Sequence, residues 1–567
     1  MIFGKLAEYF EKLESTSSRL SLIDIMSKLF DEVKAQEITQ VVYLLQGRVA
    51  PFYEPIEIGM SEKLVAASLA RAYGVGREQV LKEYGKLGDL GVVAEKLSKS
   101  KEGNLKVDEV FETLLGIAKL SGVGTVEKKV TSLAGLLQKV DGVGAKHLVR
   151  IPLGASRLGI GDPTILDGFA QSKLGDRSKR KSLEGAYNKV SDLGLLGETL
   201  WSGGEKAVAK LEVSVGRPIR SQLAERLPDP KTILEKFAGS AHIQNKLDGF
   251  RVQIHKNGDK VRLFSRNLEE TTLMFPDIIK GVLSQVKAKS IILDSEALAF
   301  NPVSEEFLPF QETTKRRRKY GIEEMAAKLP LKAFVFDIMY LNGKSLMDLP
   351  LEARIKKLES SIIGEEVLIS QPGEITDSPD RIQELFDDAL TKGLEGLIVK
   401  RPDSKYEAGG RNFNWVKLKR HSSGELSDTI DCVILGYIFG KGKRSSFGAG
   451  ALLVGVYDDK KDEFVTVSKI GTGLTDEEWR EIHKRADKIK VDHKPARVNS
   501  ILTPSVWIAP EIVIEVLADE ITRSPTHTAH YALRFPRLVK FRGSDKMAED
   551  ATTVKELIEM YQQQFKK

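Results

Sequence analysis

At 567 residues and 41% hydrophobic, the chain is too long for a single core and apolar enough to fold, so roughly two to four domains are expected. Its one cysteine, Cys432, rules out an intramolecular disulfide and a four-cysteine zinc site, and suits a reducing, cytoplasmic setting. The net charge of +6, from 86 basic and 80 acidic residues, allows a nucleic-acid partner only through local clustering of cations.

No run of about 18 apolar residues asks for a membrane span, and the start Met1-Ile2-Phe3-Gly4-Lys5 lacks the basic-then-apolar pattern of a signal peptide. Residues 1–212 read as helical throughout. Phe3, Leu6, Phe10 and Leu13 recur at helical spacing, residues 61–73 and 107–120 repeat the pattern, and strand-like alternation is hard to find. Two Gly-x-Gly turns, Ser121-Gly122-Val123-Gly124 and Asp141-Gly142-Val143-Gly144, fall between helical stretches and precede lysines. They read as interhelix turns, or as backbone N–H cradles for DNA phosphates.

Near residue 213 the texture changes. Gly216-Arg217-Pro218-Ile219-Arg220 reads as a linker into strand-rich sequence. Residues 252–255 then alternate, Asn257-Gly258 signals a two-residue hairpin, and residues 261–264 alternate back. Further strands are expected at 291–294, 333–337 and 396–400, with helical pieces at 322–328 and 380–390, an α+β pattern. After Lys419, residues 429–437, 451–457 and 464–470 read as strands joined by glycine-rich turns, for which a five-stranded OB-type β-barrel is the natural small fold. Residues 552–565 read as a terminal amphipathic helix, and no repeat of solenoid period is present. The expected domains are therefore an all-α domain at 1–212, an α+β domain at 213–420 and an OB-fold with a C-terminal helix at 421–567.

The chemistry centres on Gln244-Asn245-Lys246-Leu247-Asp248-Gly249-Phe250-Arg251. A lysine, with an ordinary pKa of about 10.4, is nearly all ammonium at neutral pH, and becomes a nucleophile only where desolvation or a neighbouring cation favours the free amine. Asp248 shares a strand face with Lys246 if the segment is extended. Gly249 lets the backbone turn or come close to a ligand, and Arg251 is a permanent cation able to grip a phosphate by two bonds. This Lys-x-Asp-Gly-x-Arg arrangement resembles the nucleotidyl-lysine motif of the covalent nucleotidyltransferases, which include DNA ligases, RNA ligases and capping enzymes.

The partners follow in order. Ser265-Arg266-Asn267 puts an arginine at the end of the hairpin, suited to the ribose or to an accepting 5′-phosphate. In Ile292-Leu293-Asp294-Ser295-Glu296-Ala297, alternation sets Asp294 and Glu296 on one face, where a sugar hydroxyl or Mg²⁺ can be held. Val335-Phe336-Asp337-Ile338 offers a ring for a purine to stack on, or simply a core phenylalanine. Leu394-Glu395-Gly396-Leu397-Ile398-Val399-Lys400 presents Glu395 as a metal ligand at a strand start. Arg411 comes next, then Trp415-Val416-Lys417-Leu418-Lys419, whose two lysines either aim at one phosphate or stay solvated along an edge.

The series is similar to motifs I, Ia, III, IIIa, IV and V of that family, and Arg157-Leu158-Gly159-Ile160-Gly161-Asp162-Pro163-Thr164-Ile165-Leu166-Asp167 resembles a signature of the helical DNA-binding domain of archaeal and eukaryotic replicative DNA ligases. Essentially the whole chain resembles the ATP-dependent DNA ligases of archaeal type. That resemblance implies Lys246 as the residue that carries AMP and Gln244 beside the adenine edge. It implies that Arg251, Arg266 and Glu296 hold nucleotide and nick, that Phe336 stacks on adenine, and that Glu395, with Glu296, binds Mg²⁺ or Mn²⁺. Arg411, Lys417 and Lys419 neutralise phosphates, with Asp248 in support. Leu533-Arg534-Phe535-Pro536-Arg537-Leu538-Val539-Lys540 looks like motif VI, so Arg534, Arg537 and Lys540 swing over the ATP site.

The implied partner is nicked double-stranded DNA, sealed by a monomer during replication, repair and recombination. Gly440-Lys441-Gly442-Lys443-Arg444 and Lys315-Arg316-Arg317-Arg318-Lys319 read as DNA-backbone contacts or as solvated charge. Two departures stand out. The position of Gln244 is usually glutamate, and a carboxamide can donate to guanine as well as accept from adenine, so other nucleoside triphosphates besides ATP come into question. Ser98-Lys99-Ser100-Lys101-Glu102-Gly103 lacks the paired aromatics of a sliding-clamp peptide, so clamp binding loses its usual motif. Among rivals, the single cysteine excludes an NAD-dependent ligase, and the long helical region argues against a capping enzyme or an RNA ligase.

Overall fold

Phe3, Leu6, Phe10 and Leu13 fall on one side of the helix Phe3–Glu14 and are at most 1% exposed, so the first hydrophobic stripe becomes core as its spacing predicts. The computed structural model describes residues 1–100, 103–301, 306–307, 313–318, 320–391, 394–419, 429–439, 448–471, 474–524, 526–542 and 546–564. It divides into two compact units, Met1–Leu418 and Lys419–Lys567. The first holds a helical region, running from Phe3–Glu14 to Leu193–Val208, and a central region of two sheets.

In the helical region the 157–167 signature proves to be a joint. Pro163 lies in the first turn of the helix Asp162–Leu174, where its missing N–H costs nothing. Asp162 receives the hydroxyl of Tyr187 at 2.5 Å, the amide of Gln46 at 3.1 Å and the guanidinium of Arg220 at 2.7 Å. Asp167, buried, is met by Arg19 at 3.2 Å. The two Gly-x-Gly turns differ. The first is an exposed interhelix turn, with Gly122 and Gly124 at φ 85° and 79°. The second opens the helix Gly142–Arg150, capped by Asp141 Oδ1, which accepts from Gly144 N at 2.7 Å. Its lysine, Lys146, is buried and bound to Glu11 and Glu14 at 2.7 and 3.0 Å, which removes it as a phosphate contact.

The central region contains β1 (Leu223–Arg226), β2 (Ala241–Lys246), β3 (Phe250–Asn257), β4 (Lys260–Ser265), β5 (Ser290–Asn301), β6 (Glu306–Phe307), β7 (Leu331–Leu341), β8 (Lys344–Ser345), β9 (Leu368–Ser370), β10 (Glu374–Thr376), β11 (Gly396–Lys400) and β12 (Arg411–Lys419). One sheet runs β4-β3-β5-β7-β8, with β6 on β5 and β9 on β7; the other runs β1-β12-β11-β2-β10. Asn257 pairs with Lys260, so the hairpin turn is Gly258-Asp259, one residue later than the dipeptide suggested. Helices at Ile322–Lys328 and Pro379–Thr391 stand where expected, and those at Pro230–Lys236, Pro276–Gln285 and Leu351–Ser361 are additional. The expected linker is zipped onto β3: Gly216 N donates to His255 Nδ1 at 3.0 Å, and Ile219 exchanges two hydrogen bonds with the Gln253 amide.

The second unit holds β13 (Ile430–Ile438), β14 (Ala451–Asp458), β15 (Glu463–Ile470), β16 (Lys490–Val491), β17 (Val498–Asn499), β18 (Val506–Ile508), β19 (Val513–Leu517), β20 (Glu520–Arg523), β21 (Tyr531–Arg534) and β22 (Arg537–Phe541). Eight of these form one curved half-barrel sheet, and β20 and β21 form a separate hairpin. Register shifts at Ile434/Gly436 and Val454/Gly455 supply the curvature. The helix Asp476–Asp487 plugs the sheet with Trp479, 1% exposed, and the terminal helix Val554–Gln563 starts at a Thr553–Glu556 capping box. No helix among the described residues is long and apolar enough to cross a membrane.

Candidate active site

Strand β2 sorts its side chains by alternation. Ala241 and Ile243 enter a buried core, which turns His242, Gln244 and Lys246 to the opposite face. Pairing with β11 sets Gly396 opposite Lys246, Ile398 opposite Gln244 and Lys400 opposite His242. Glu395 therefore stands at the mouth of the same groove, and its carboxylate forms an ion pair with the Lys246 ammonium. Gly249 is required sterically: a Cβ there would lie 2.3 Å from the Ala297 carbonyl oxygen of β5. Its N–H donates to Glu296 Oε1 at 3.2 Å, tying the lysine turn to β5, while Asp248 is exposed.

Asp294 and Glu296, on one strand face, have different partners. The Arg251 guanidinium grips Asp294 by two bonds, 3.0 and 2.6 Å, and donates to the Gln222 carbonyl at 2.8 Å. The Tyr406 hydroxyl donates to Asp294 at 2.8 Å, and Asp294 is fully buried. Asp294 is thus satisfied by protein groups, and Arg251 is its bidentate partner. Glu296, beside them, keeps its carboxylate toward the lysine. Burial pushes it up to about 7, against the pull of Arg251 and Lys246.

Phe336 is partly buried, edge-on to Trp415 at 6.1 Å between ring centres, and lies near two cations, Lys400 at 4.8 Å and Arg251 at 5.5 Å. Lys400, the last residue of β11, belongs to this face without any motif marking it. It is 1% exposed, donates to the Phe336 carbonyl at 3.3 Å and sits 4.0 Å over Trp415; burial pulls it down to about 7, despite Asp337 nearby. A lysine ending an otherwise apolar strand was the available signal. Asp337 itself is sealed by Arg354 in a fully buried pair at 2.8 and 3.0 Å. Gln244, 3% exposed, donates from Nε2 to the carbonyls of Phe336 at 3.2 Å and Gln371 at 2.6 Å.

Lys417 and Lys419 alternate on β12, next to β11 in the sheet, with Arg411 exposed at its start. Arg266, exposed after β4, lines a cleft shared with the helical region. Within the second unit Arg534 donates to Thr522 at 3.1 Å, Arg537 pairs with Asp519 at 2.7 Å and Lys540 with Glu515 at 3.4 Å. All three are exposed. In the basic run, Arg316 is 1% exposed and bound bidentately to Asp277, so it supports the fold and does not face DNA; Arg317 pairs with Glu269, and Lys319 lies outside the described residues. The loop 440–444 lies outside them as well, as do Lys101 and Glu102 of the stretch that lacks paired aromatics. Among the described residues, Glu11, Glu14 and His147 cluster at metal-ligand spacing, but Lys146 and Arg150 already neutralise both carboxylates.

Three family models match the chain: DNA ligase N terminus over residues 2–170, ATP dependent DNA ligase domain over 221–419 and ATP dependent DNA ligase C terminal region over 445–546. A probable DNA ligase of Dictyoglomus turgidum is 49% identical, over 100% of this chain and 98% of its own. DNA ligase 2 of Thermofilum pendens is 41% identical, over 100% and 98%. A DNA ligase of Sulfolobus acidocaldarius is 38% identical, over 100% and 99%. A solved structure named Pmar-Lig_PreS3 covers 95% of this chain and 99% of its own, with a TM-score of 0.51 at 18% identity, a likeness of fold. With full-length relatives at this identity and models spanning all three parts, the chain belongs to the ATP-dependent DNA ligase family.

Proposed function

We propose that the protein joins a 5′-phosphate to a 3′-hydroxyl at nicks in duplex DNA through two adenylated intermediates, with Lys246 as the nucleophile. The observation that carries the reading is the shared groove of β2 and β11, where Lys246 and Gln244 line one strand face and Glu395 meets the lysine at the mouth. In the first step Lys246 gives up a proton, for which the touching Glu395 carboxylate is the nearest acceptor. Its Nζ lone pair then bonds to the α-phosphorus of ATP, and pyrophosphate leaves with the electrons of the broken P–O bond. A 5′-phosphate oxygen of the nick next attacks the phosphorus of the lysine adenylate and the P–N bond breaks. Finally the 3′-hydroxyl attacks the 5′-phosphorus and AMP departs.

Gln244 faces the adenine edge and Phe336 stacks on the ring. Both hydrogens of the Gln244 amide go to main-chain carbonyls, so the oxygen is left as an acceptor, which favours the amino group of adenine over the oxygen of guanine and argues against relaxed nucleotide choice. Arg266, Arg411, Lys417 and Lys419 neutralise phosphates, with Asp248 in support, and Arg534, Arg537 and Lys540 act on the pyrophosphate in the first step. Arg251 acts indirectly, by fixing Asp294 beside Glu296. Glu296 and Glu395 flank one ammonium with two carboxylates, a set of hard oxygens that fits Mg²⁺ or Mn²⁺. That ion would offset phosphate charge.

The domain limits we propose are 1–212, 213–420 and 421–567, in a cytoplasmic monomer serving replication, repair and recombination without the usual clamp peptide. Intact mass after incubation with ATP should show one added AMP, and Lys246→Ala should show none while still sealing a pre-adenylated nick. A Lys246→Ala protein that still takes label from α-phosphate-tagged ATP would refute the assignment.

A further inference from the structure

The groove face of β2 carries a third polar side chain with no part in the three phosphoryl transfers. His242 precedes Gln244 and Lys246 at a spacing of two, on the same face and at the end of β2 away from the lysine. It is 3% exposed. Neither ring nitrogen completes a hydrogen bond of normal geometry among the described residues, although the Pro372 carbonyl lies near enough to favour a proton on the ring. Its charged neighbours are engaged elsewhere. Lys400, opposite it on β11, donates to the Phe336 carbonyl at 3.3 Å, and Asp337 and Arg354 bind each other at 2.8 and 3.0 Å. Burial, with the charges of Lys400 and Arg354, pulls the imidazole down to about 4 against Pro372 and Asp337, so it is neutral near pH 7.

A neutral imidazole carries one N–H and one lone pair. Nε2 faces the 371–373 segment, since a Cβ on Gly373 would lie 2.6 Å from it, and the Pro372 carbonyl in that segment draws the proton to this side. Nδ1 is then a buried acceptor with no donor, which folded proteins nearly always avoid. The same Cβ position is 2.9 Å from Gln244 Cγ, so imidazole and amide are neighbours. The amide is the second observation: both its hydrogens are held by main-chain carbonyls, and its oxygen is an acceptor too. Two adjacent acceptors fit a nitrogen that carries two hydrogens. Adenine has such an amine at C6, where guanine has a carbonyl oxygen.

We propose that His242 is a specificity-determining residue of the nucleotide site, its Nδ1 accepting one hydrogen of the adenine amine while the Gln244 oxygen accepts the other. The proposal rests on the reading of Lys246 and Gln244 given above and adds to it a second contact with the base. Single-turnover nucleotidyl transfer to the full-length protein, with ATP and with purine riboside triphosphate, which lacks the amine, tests it. In the wild type, loss of the amine should lower kcat/KM roughly 30- to 100-fold, since two buried acceptors are left without donors. In His242→Leu the same comparison should shrink to about tenfold. The loss should fall on ATP, with the amine-free nucleotide reacting at close to the wild-type rate. His242→Asn, which returns an acceptor oxygen near the place of Nδ1, should recover part of the preference for ATP.

The ratio between the two nucleotides is what separates recognition from support of the fold. A residue that only shapes the strand slows both nucleotides alike, so an unchanged ratio in His242→Leu would overturn the proposal even if both rates fell. The wild type alone provides a test that needs no variant to fold: equal rates with ATP and the amine-free nucleotide would mean that neither acceptor meets the amine. A wild type that takes label from neither nucleotide defeats the Lys246 reading. One that prefers ATP, by a margin that His242→Leu keeps in full, defeats this inference alone.

Discussion

Gln244 shows how a single amide can be fixed by what surrounds it. Its two neighbours within hydrogen-bond reach, the carbonyls of Phe336 and Gln371, are both acceptors, so only the nitrogen can face them. A glutamate at this position would bring a carboxylate oxygen against two carbonyl oxygens in a nearly closed site. Gln244→Glu is therefore expected to slow enzyme–AMP formation with ATP by about 30-fold, corresponding to roughly 2 kcal/mol for setting a buried acceptor against acceptors. GTP should remain a poor substrate for both proteins. Single-turnover labelling with the two nucleotides reads this directly, and a Gln244→Glu protein that labels as fast as the wild type would show that the two carbonyls do not hold the amide.

The lysine turn is where element and chemistry meet, because β2 and β3 sit in different sheets and Gly249 joins them against β5. An added methyl there would strike the main chain of β5 at Ala297, which cannot step aside as a flexible side chain could. Gly249→Ala should destabilise the first unit by about 1–3 kcal/mol and displace Lys246 from Glu395. A denaturant midpoint within error of wild type would contradict this.

Much of this element was readable from residues alone. The β3–β4 alternation, the strand around Asp294 and the β11 strand ending at Lys400 all follow from a period of two. What alternation could not tell was which polar group satisfies which. Asp294 and Glu296 share a strand face, yet one is closed off by Arg251 and Tyr406 and the other is turned toward the lysine. Arg316, embedded in a basic run, is anchored by an aspartate 39 residues earlier in the chain. Long-range pairing of this kind leaves no local trace. Nor did the extra strands of the second unit, since pieces such as Lys490–Val491 and Val498–Asn499 are too short for periodicity to register.

At the scale of the first unit, buried histidines link stability to pH. His147, His242 and His255 are at most 3% exposed, and burial lowers them from an ordinary 6.5 to about 4, 4 and 3. Each is therefore neutral in the folded protein where the unfolded chain already binds a proton. A depressed folded value means that this contribution is complete above pH 6.5 and is lost as pH falls toward 4. Glu296, raised to about 7, acts in the opposite sense, since the folded form keeps its proton to higher pH and gains stability as pH falls from 7 toward 4.5. Lys400, lowered to about 7, is protonated in both states below that value and drops out of the acid window. Three histidines against one glutamate leave an excess of about two protons bound by the unfolded chain between pH 5 and 6, or about 3 kcal/mol per pH unit at most. Carboxylates held low by arginine and lysine, such as Glu11, Glu14 and Asp337, add their loss only at lower pH. Denaturant midpoints at pH 7, 6 and 5 in a fixed salt should fall steadily, with His147→Gln flattening the trend by about one proton. Midpoints that hold level or rise from pH 7 to 5 would mean that the histidines gain protons within the fold as readily as outside it.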